Sequence, residues 1–210
     1  MKNTKSSVIV ASLALLATSA VWAAEIDPET AIAARHVAVM TCATCHGPQG
    51  RSTTPKFPVL AGQHASYLIT QMKAFKAQTR GDPDALSYMW GMAAPLEDGM
   101  IEALAAYYSA QTPGPGRGGN AATIARGADI FNKGIAAEGI PACVSCHGAN
   151  AAGTDDFPRL TGQHAQYLLK QLRSFQSNLR NVAVMHGVAS ELKVPEMSAV
   201  ADYLQSLSGS

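Results

Sequence analysis

Past residue 24 the chain has no apolar run of the roughly 18 residues that a membrane-crossing helix needs, which excludes a transmembrane anchor in the mature form. Charge of one sign is also missing: 16 Lys and Arg stand against 15 Asp and Glu. Without the first 23 residues, 14 basic groups remain against 15 acidic ones, and such a balance excludes the basic surplus that a nucleic-acid partner requires. The halves differ little, with 6 basic and 8 acidic residues over 24–113 and 8 and 7 over 114–210, so the chain carries at most a weak dipole. Ala and Leu together outnumber Ile, Val and Thr, and no stretch alternates apolar and polar residues with a period of two. Both features argue against a sheet and for an all-α fold.

The N-terminus has the form of an export signal. Lys2 and Lys5 precede an apolar core at 8–16 broken only by Ser12, and Val21-Trp22-Ala23 offers a small residue at a cut near Ala23 or Ala24. The expectation is a signal peptide over 1–23 and a periplasmic mature protein.

The chain then repeats itself. "CVSCHG" at 143–148 answers "CATCHG" at 42–47, and "FPRLTGQHAQYLLKQLRSFQSNLR" at 157–180 matches "FPVLAGQHASYLITQMKAFKAQTR" at 57–80. Further on, "MHGVASEL" from 185 meets "MWGMAAPL" from 89 at a shift of 96, and Tyr203 meets Tyr107. Between the copies, "TPGPGRGGN" at 112–120 is too rich in Pro and Gly for helix or strand. These boundaries predict a domain over 24–111, a linker over 112–120 and a second domain over 121–210. Each is small for a hydrophobic core alone, so a large bound cofactor would help it hold together. Asp27-Pro28-Glu29 reads as the cap and first turn of a helix running toward Cys42. Helices are expected at 63–78 and 163–178, with apolar stripes of Tyr67, Leu68, Met72 and Phe75 and of Tyr167, Leu168, Leu172 and Phe175, and closing helices at 97–110 and 194–207.

Cysteine is scarce, yet all four residues fall in two identical spacings: Cys42 and Cys45, then Cys143 and Cys146, each pair followed directly by a histidine. Two disulfides would explain the even count but not His46 and His147. Zinc needs four ligands at short spacing, and a thioredoxin-like dithiol needs a βαβ setting that is absent. C-x-x-C-H is the attachment spacing of c-type haem, in which both sulfurs bond the vinyl groups and the histidine takes an axial iron position. Two copies behind an export signal predict two covalently bound haem c groups.

With its two C-x-x-C-H-G motifs, two "FP-x-L-x-G-Q-H" stretches and downstream Met segments, the mature chain resembles the dihaem cytochromes c4. "NKGIAAEGIPAC" before the second motif also resembles that family and has no counterpart in the first repeat. The resemblance implies two tandem class I cytochrome c domains packed about a pseudo-two-fold axis. It also implies that the carbonyls of Pro58 and Pro158 accept from His46 and His147.

The sixth ligand follows from the repeat. Met89 aligns with Met185, whereas Met92 aligns with Val188, which cannot ligate iron, so Met89 and Met185 are the expected thioether ligands. His186 aligns with Trp90 and gains no support from the repeat. Met40, Met72, Met100 and Met197 are expected in the core, His36 at the surface, and His64 and His164 as packing or hydrogen-bonding residues. Tyr67 and Tyr167, with Gln71 and Gln171, place polar tips on apolar faces, where they serve either haem propionates or the domain interface.

No catalytic acid or base is evident beside either iron, so an electron carrier is expected rather than an enzyme. By resemblance, its redox partners are a quinol-oxidising complex as donor and a terminal oxidase as acceptor. The alternative is the dihaem subunit of a flavoprotein sulfide dehydrogenase or another periplasmic dehydrogenase.

Overall fold

The structure, a computed structural model, describes residues 26–154 and 157–209. The expected signal peptide and its cut lie outside these residues. Helix α1 (Pro28–Val37) starts where Asp27 Oδ1 accepts from Thr30 N–H at 3.0 Å and Pro28 fills the first turn. A π-turn, Ala38–Cys42, leads without a break into the short α2 (Ala43–His46). Then come α3 (Ala65–Lys76), a second π-turn at Ala85–Met89 that runs into α4 (Trp90–Ala93), and α5 (Asp98–Ser109).

The second half repeats this plan with two differences: one continuous helix, Ala183–Glu191, replaces the second π-turn and α4, and the approach to the cysteines is interrupted. Helix α6 (Ala121–Lys133), capped by Asn120 Oδ1 on Thr123 N–H at 3.1 Å, stops at Gly134 and does not run on into the cysteines. The extra segment "GIAAEGIPA" makes a 3-10 turn, Ala136–Glu138, closed by an antiparallel bridge between Ile135 and Ile140. Among the described residues this bridge is the only β pairing. Helices α7 (Val144–His147), α8 (Ala165–Gln176), α9 (Ala183–Glu191) and α10 (Val194–Ser206) follow. The fold is all-α, as the composition predicts.

In each half the first helix packs on the last: α1 on α5, and α6 on α10. Ala34, Ala38, Leu68, Leu104 and Tyr108 build the first core, and Ile130, Phe131, Leu168, Val200 and Leu204 the second. The α6–α10 crossing is so close that a Cβ on Gly127 would lie 1.9 Å from the carbonyl oxygen of Ala199. Leu68 and Phe75 on α3, like Leu168 and Phe175 on α8, are buried at the same positions of the predicted stripes.

Met197 is fully buried, and Met72 and Met100 lean on core clusters, but Met40 is 63% exposed. Its expected core position is therefore corrected: Ala34 and Ala38 define the inner face of the helix, and a residue two places past Ala38 points away from it.

Residues 112–120 are non-helical, yet they are tied to both halves. Thr112 O accepts from Arg51 Nε at 2.8 Å, Arg117 N–H donates to Gln205 O at 2.9 Å, and Arg117 Nη2 donates to Ser52 O at 3.0 Å.

Candidate functional site

Each C-x-x-C-H segment is a single helical turn, which puts the two thiols on one side and the histidine at its end. All four cysteines are free thiols, so the disulfide reading has no support. Burial pushes the Cys42 thiol up, and pushes Cys143 up to about 11. The turn ends at Gly47, whose φ of 72° is costly for other residues and where a Cβ would meet Arg51 O at 2.6 Å.

His46 and His147 are 8% and 7% exposed. Their Nδ1 atoms face the carbonyls of Pro58 at 2.9 Å and Pro158 at 3.4 Å, the contacts expected from the family resemblance. Burial holds both imidazoles below their usual pKa, opposed by these same hydrogen bonds. A neutral ring with Nδ1 occupied by a carbonyl leaves Nε2 as the ligating nitrogen. Phe57 stands edge-on to His46, with centroids 6.2 Å apart, and edge-on to Tyr88 at 5.5 Å; Tyr88 is the neighbour of Met89. Phe157 repeats only the first contact, at 6.1 Å from His147.

Met89 closes the π-turn before α4 and packs with Phe75, Ala85 and Ala93. Met185 lies half-buried on α9. Met92 is 53% exposed. His186 donates from Nδ1 to Phe175 O at 2.8 Å, much as Trp90 Nε1 donates to Arg80 O at 2.9 Å, so the pair shares a backbone-anchoring task. His36 is exposed.

Tyr67 and Tyr167 turn toward the domain interface. Arg180 Nη2 donates to Tyr67 Oη at 2.7 Å, and Arg80 Nη2 to Tyr167 Oη at 3.3 Å. Each guanidinium also donates to both Gln71 Oε1 and Gln171 Oε1, at 2.8–2.9 Å. Of the two, among the described residues, only Arg80 has an acid, Asp82 at 2.7 Å; the repeat places Val182 opposite Asp82. Burial raises the Tyr67 hydroxyl, but the two guanidiniums outweigh it and hold that pKa below its usual value. The buried Nε of Arg180 has no hydrogen-bond partner. This electropositive centre suits an anionic carboxylate, such as a haem propionate, at its edge.

The "GQH" stretches form a clasp that local spacing does not reveal. Gln163 donates from Nε2 to Val59 O at 3.0 Å and accepts on Oε1 from Val59 N–H at 2.9 Å. Gln63 does the same with Arg159, at 3.0 and 2.8 Å. His64 Nε2 donates to Ala152 O at 2.9 Å and His164 Nε2 to Ser52 O at 3.0 Å. Every one of these bonds crosses between the halves, and each has its pseudo-two-fold mate. No helix is long and apolar enough to cross a membrane among the described residues.

The cytochrome c family model matches residues 31–110 and again 124–208. Cytochrome c-552 of Acidithiobacillus ferridurans is 43% identical over 168 residues, covering 79% of this chain and 73% of the relative. The reduced recombinant cytochrome c4 from Pseudomonas stutzeri superposes with a TM-score of 0.76 at 37% identity, covering 87% of this chain and all of that one. A thiosulfate dehydrogenase electron acceptor of Thiomonas intermedia is 35% identical over 204 residues, 93% of this chain and 88% of the relative.

Proposed function

We propose, from the premise that the chain belongs to the cytochrome c family and to its dihaem cytochrome c4 branch, that it is an exported one-electron shuttle of the periplasm. As a dihaem electron-transfer cytochrome it is a carrier and not an enzyme. In our reading the domains span 24–111 and 121–210 across the linker 112–120, and a signal over 1–23 is removed near Ala23 or Ala24. Cys42 and Cys45 would hold one haem by thioether bonds, and Cys143 and Cys146 the other. His46 and Met89 would ligate the first iron, and His147 and Met185 the second.

The observation that carries this reading is the pair of buried, neutral histidines at the ends of free-thiol turns, each with Nδ1 against a proline carbonyl. When bound, each haem supplies a ferrous/ferric couple. The chain does the rest: Pro58 and Pro158 orient the rings, Phe57 and Phe157 shield them edge-on, and the Arg80–Arg180 centre offers positive charge to carboxylates. Thioether ligation in a dry pocket favours the reduced state and a relatively high potential.

Electrons then pass from a quinol-oxidising complex toward a terminal oxidase. A second reading, acceptor for a periplasmic dehydrogenase, is favoured by the likeness to the thiosulfate dehydrogenase electron acceptor, and a flavoprotein sulfide dehydrogenase would use the same layout. Co-purification of a dehydrogenase with the native protein would select it.

The test of ligation is the absorption spectrum of the dithionite-reduced protein before and after carbon monoxide. An unchanged spectrum is expected, because a histidine and a methionine would hold each iron. A shift at either haem overturns its methionine ligand.

A further inference from the structure

Val59 N–H and Pro58 C=O belong to one peptide unit, and so do Arg159 N–H and Pro158 C=O. Gln163 Oε1 accepts from the N–H of the first unit at 2.9 Å, while its C=O accepts from His46 Nδ1 at 2.9 Å. Gln63 Oε1 accepts from the N–H of the second unit at 2.8 Å, while its C=O faces His147 Nδ1 at 3.4 Å. A glutamine of one domain is thus joined through a single peptide to the histidine of the other. Both glutamines are buried, at 5% for Gln163 and 6% for Gln63, so bulk water does not screen the relay.

We propose that Gln163 and Gln63 are positioning residues that set the donor strength of His46 and His147 across the domain interface, so that each domain holds the reduction potential of its partner. The physics is directional. An amide whose N–H is engaged has a more negative carbonyl oxygen, and chained hydrogen bonds strengthen one another by about 10–30% per bond. A stronger acceptor draws the Nδ1 proton and makes Nε2 a better donor to iron, which favours the ferric state. The second arm of the clasp, Gln163 Nε2 on Val59 O, fixes the segment so that the carbonyl stays aimed at the ring. The inference rests on the assignment of His46 and His147 as ligands.

The experiment is a haem-resolved redox titration of the holoprotein, followed by NMR of the shifted haem methyl groups, for wild type, Gln163→Met and Gln63→Met. Methionine keeps the length of the side chain and removes both hydrogen bonds. Gln163→Met is expected to favour reduction of the first-domain haem by about two- to fourfold, roughly 18–36 mV at about 59 mV per tenfold for one electron, and to leave the second haem unmoved. Gln63→Met is expected to do the reverse. The Nδ1 proton resonance of His46 should move in the first variant and that of His147 in the second. Equal shifts at both haems, no shift, or a shift at the haem of the substituted domain would overturn the proposal.

Hydrogen exchange on the wild type guards against variants that fail to fold. Protected amides at Val59 and Arg159 support the clasp, and exchange at loop rates sinks it. The same NMR experiment separates the two readings: ring protons of His46 and His147 shifted by the ferric iron, with unmoved potentials, refute the relay alone, and rings without that shift refute the ligation beneath it.

Discussion

His164 is 1% exposed and uncharged, with Nε2 bonded to Ser52 O across the interface. Burial pulls its pKa below the ordinary 6.5, and the nearby Arg117 pulls in the same direction. The unfolded chain therefore binds a proton at a pH where the folded one does not, so this contribution to stability is complete above about pH 6.5 and falls as the pH drops below it. Thermal unfolding of wild type and His164→Gln between pH 7.5 and 5 should show a steeper acid loss in the wild type; parallel curves would remove His164 from the account. Met89→Ala should open one iron, so that carbon monoxide shifts the absorption of one haem and leaves the other untouched.

Residues of this kind differ in how visible they are from sequence. The Cys, His and Met positions stood out because chemistry ties them to fixed local spacings and the repeat shows them twice. Gln63 and Gln163 were present in the quoted repeat but carried no role, since their partners lie 96 and 104 residues away and leave no local pattern. Met40 misled because an apolar side chain on a helix does not declare which face it occupies.

Among elements, the terminal helix pairs set the limits on change. Gly127 lets α6 approach α10, and Gly127→Ala would drive a methyl group into Ala199 O. The expected cost is about 1–3 kcal/mol, read by denaturant unfolding followed at the haem of the second domain. A loss of under half a kilocalorie would mean that α6 simply backs away. At the corresponding place in the first domain stands Ala34, seven residues past its N-cap as Gly127 is past its own, which shows that the two crossings are packed to different tolerances.

The helices expected at 63–78, 97–110, 163–178 and 194–207 lie within a few residues of α3, α5, α8 and α10, whereas α6 and α9 were not placed from the sequence. The π-turns at Ala38–Cys42 and Ala85–Met89 were not legible, because one added residue in a turn changes no composition and hardly disturbs a short apolar period.

Across the whole molecule, the two halves meet on buried polar groups, which makes their union depend on matched partners. Arg80 is 7% exposed and Asp82 2%. Burial would raise the Asp82 carboxyl, but Arg80 first, and Arg180 after it, hold it below its usual pKa. Arg80→Ala leaves that carboxylate without its bonded cation, and the expected loss is about 3 kcal/mol, seen as a lower unfolding midpoint together with a larger radius of gyration in solution scattering. An unchanged radius with lowered stability would mean that the clasp of Gln63 and Gln163 holds the halves together unaided. The repeat made two domains legible, whereas their pseudo-two-fold packing came only from resemblance: an interface built of side chains that meet from opposite ends of the chain is written in no single stretch.

The segment at 112–120 deserves its place in that union. Thr112 is held by Arg51, and Arg117 reaches both Ser52 and Gln205, so the connection is stitched down along its length rather than slung between two bodies. A cut peptide bond there would release no fragment. The nicked protein would run as two bands under denaturing conditions and as one particle otherwise, with both colours still in step: covalent continuity matters to how this molecule is assembled and little to how it stays whole.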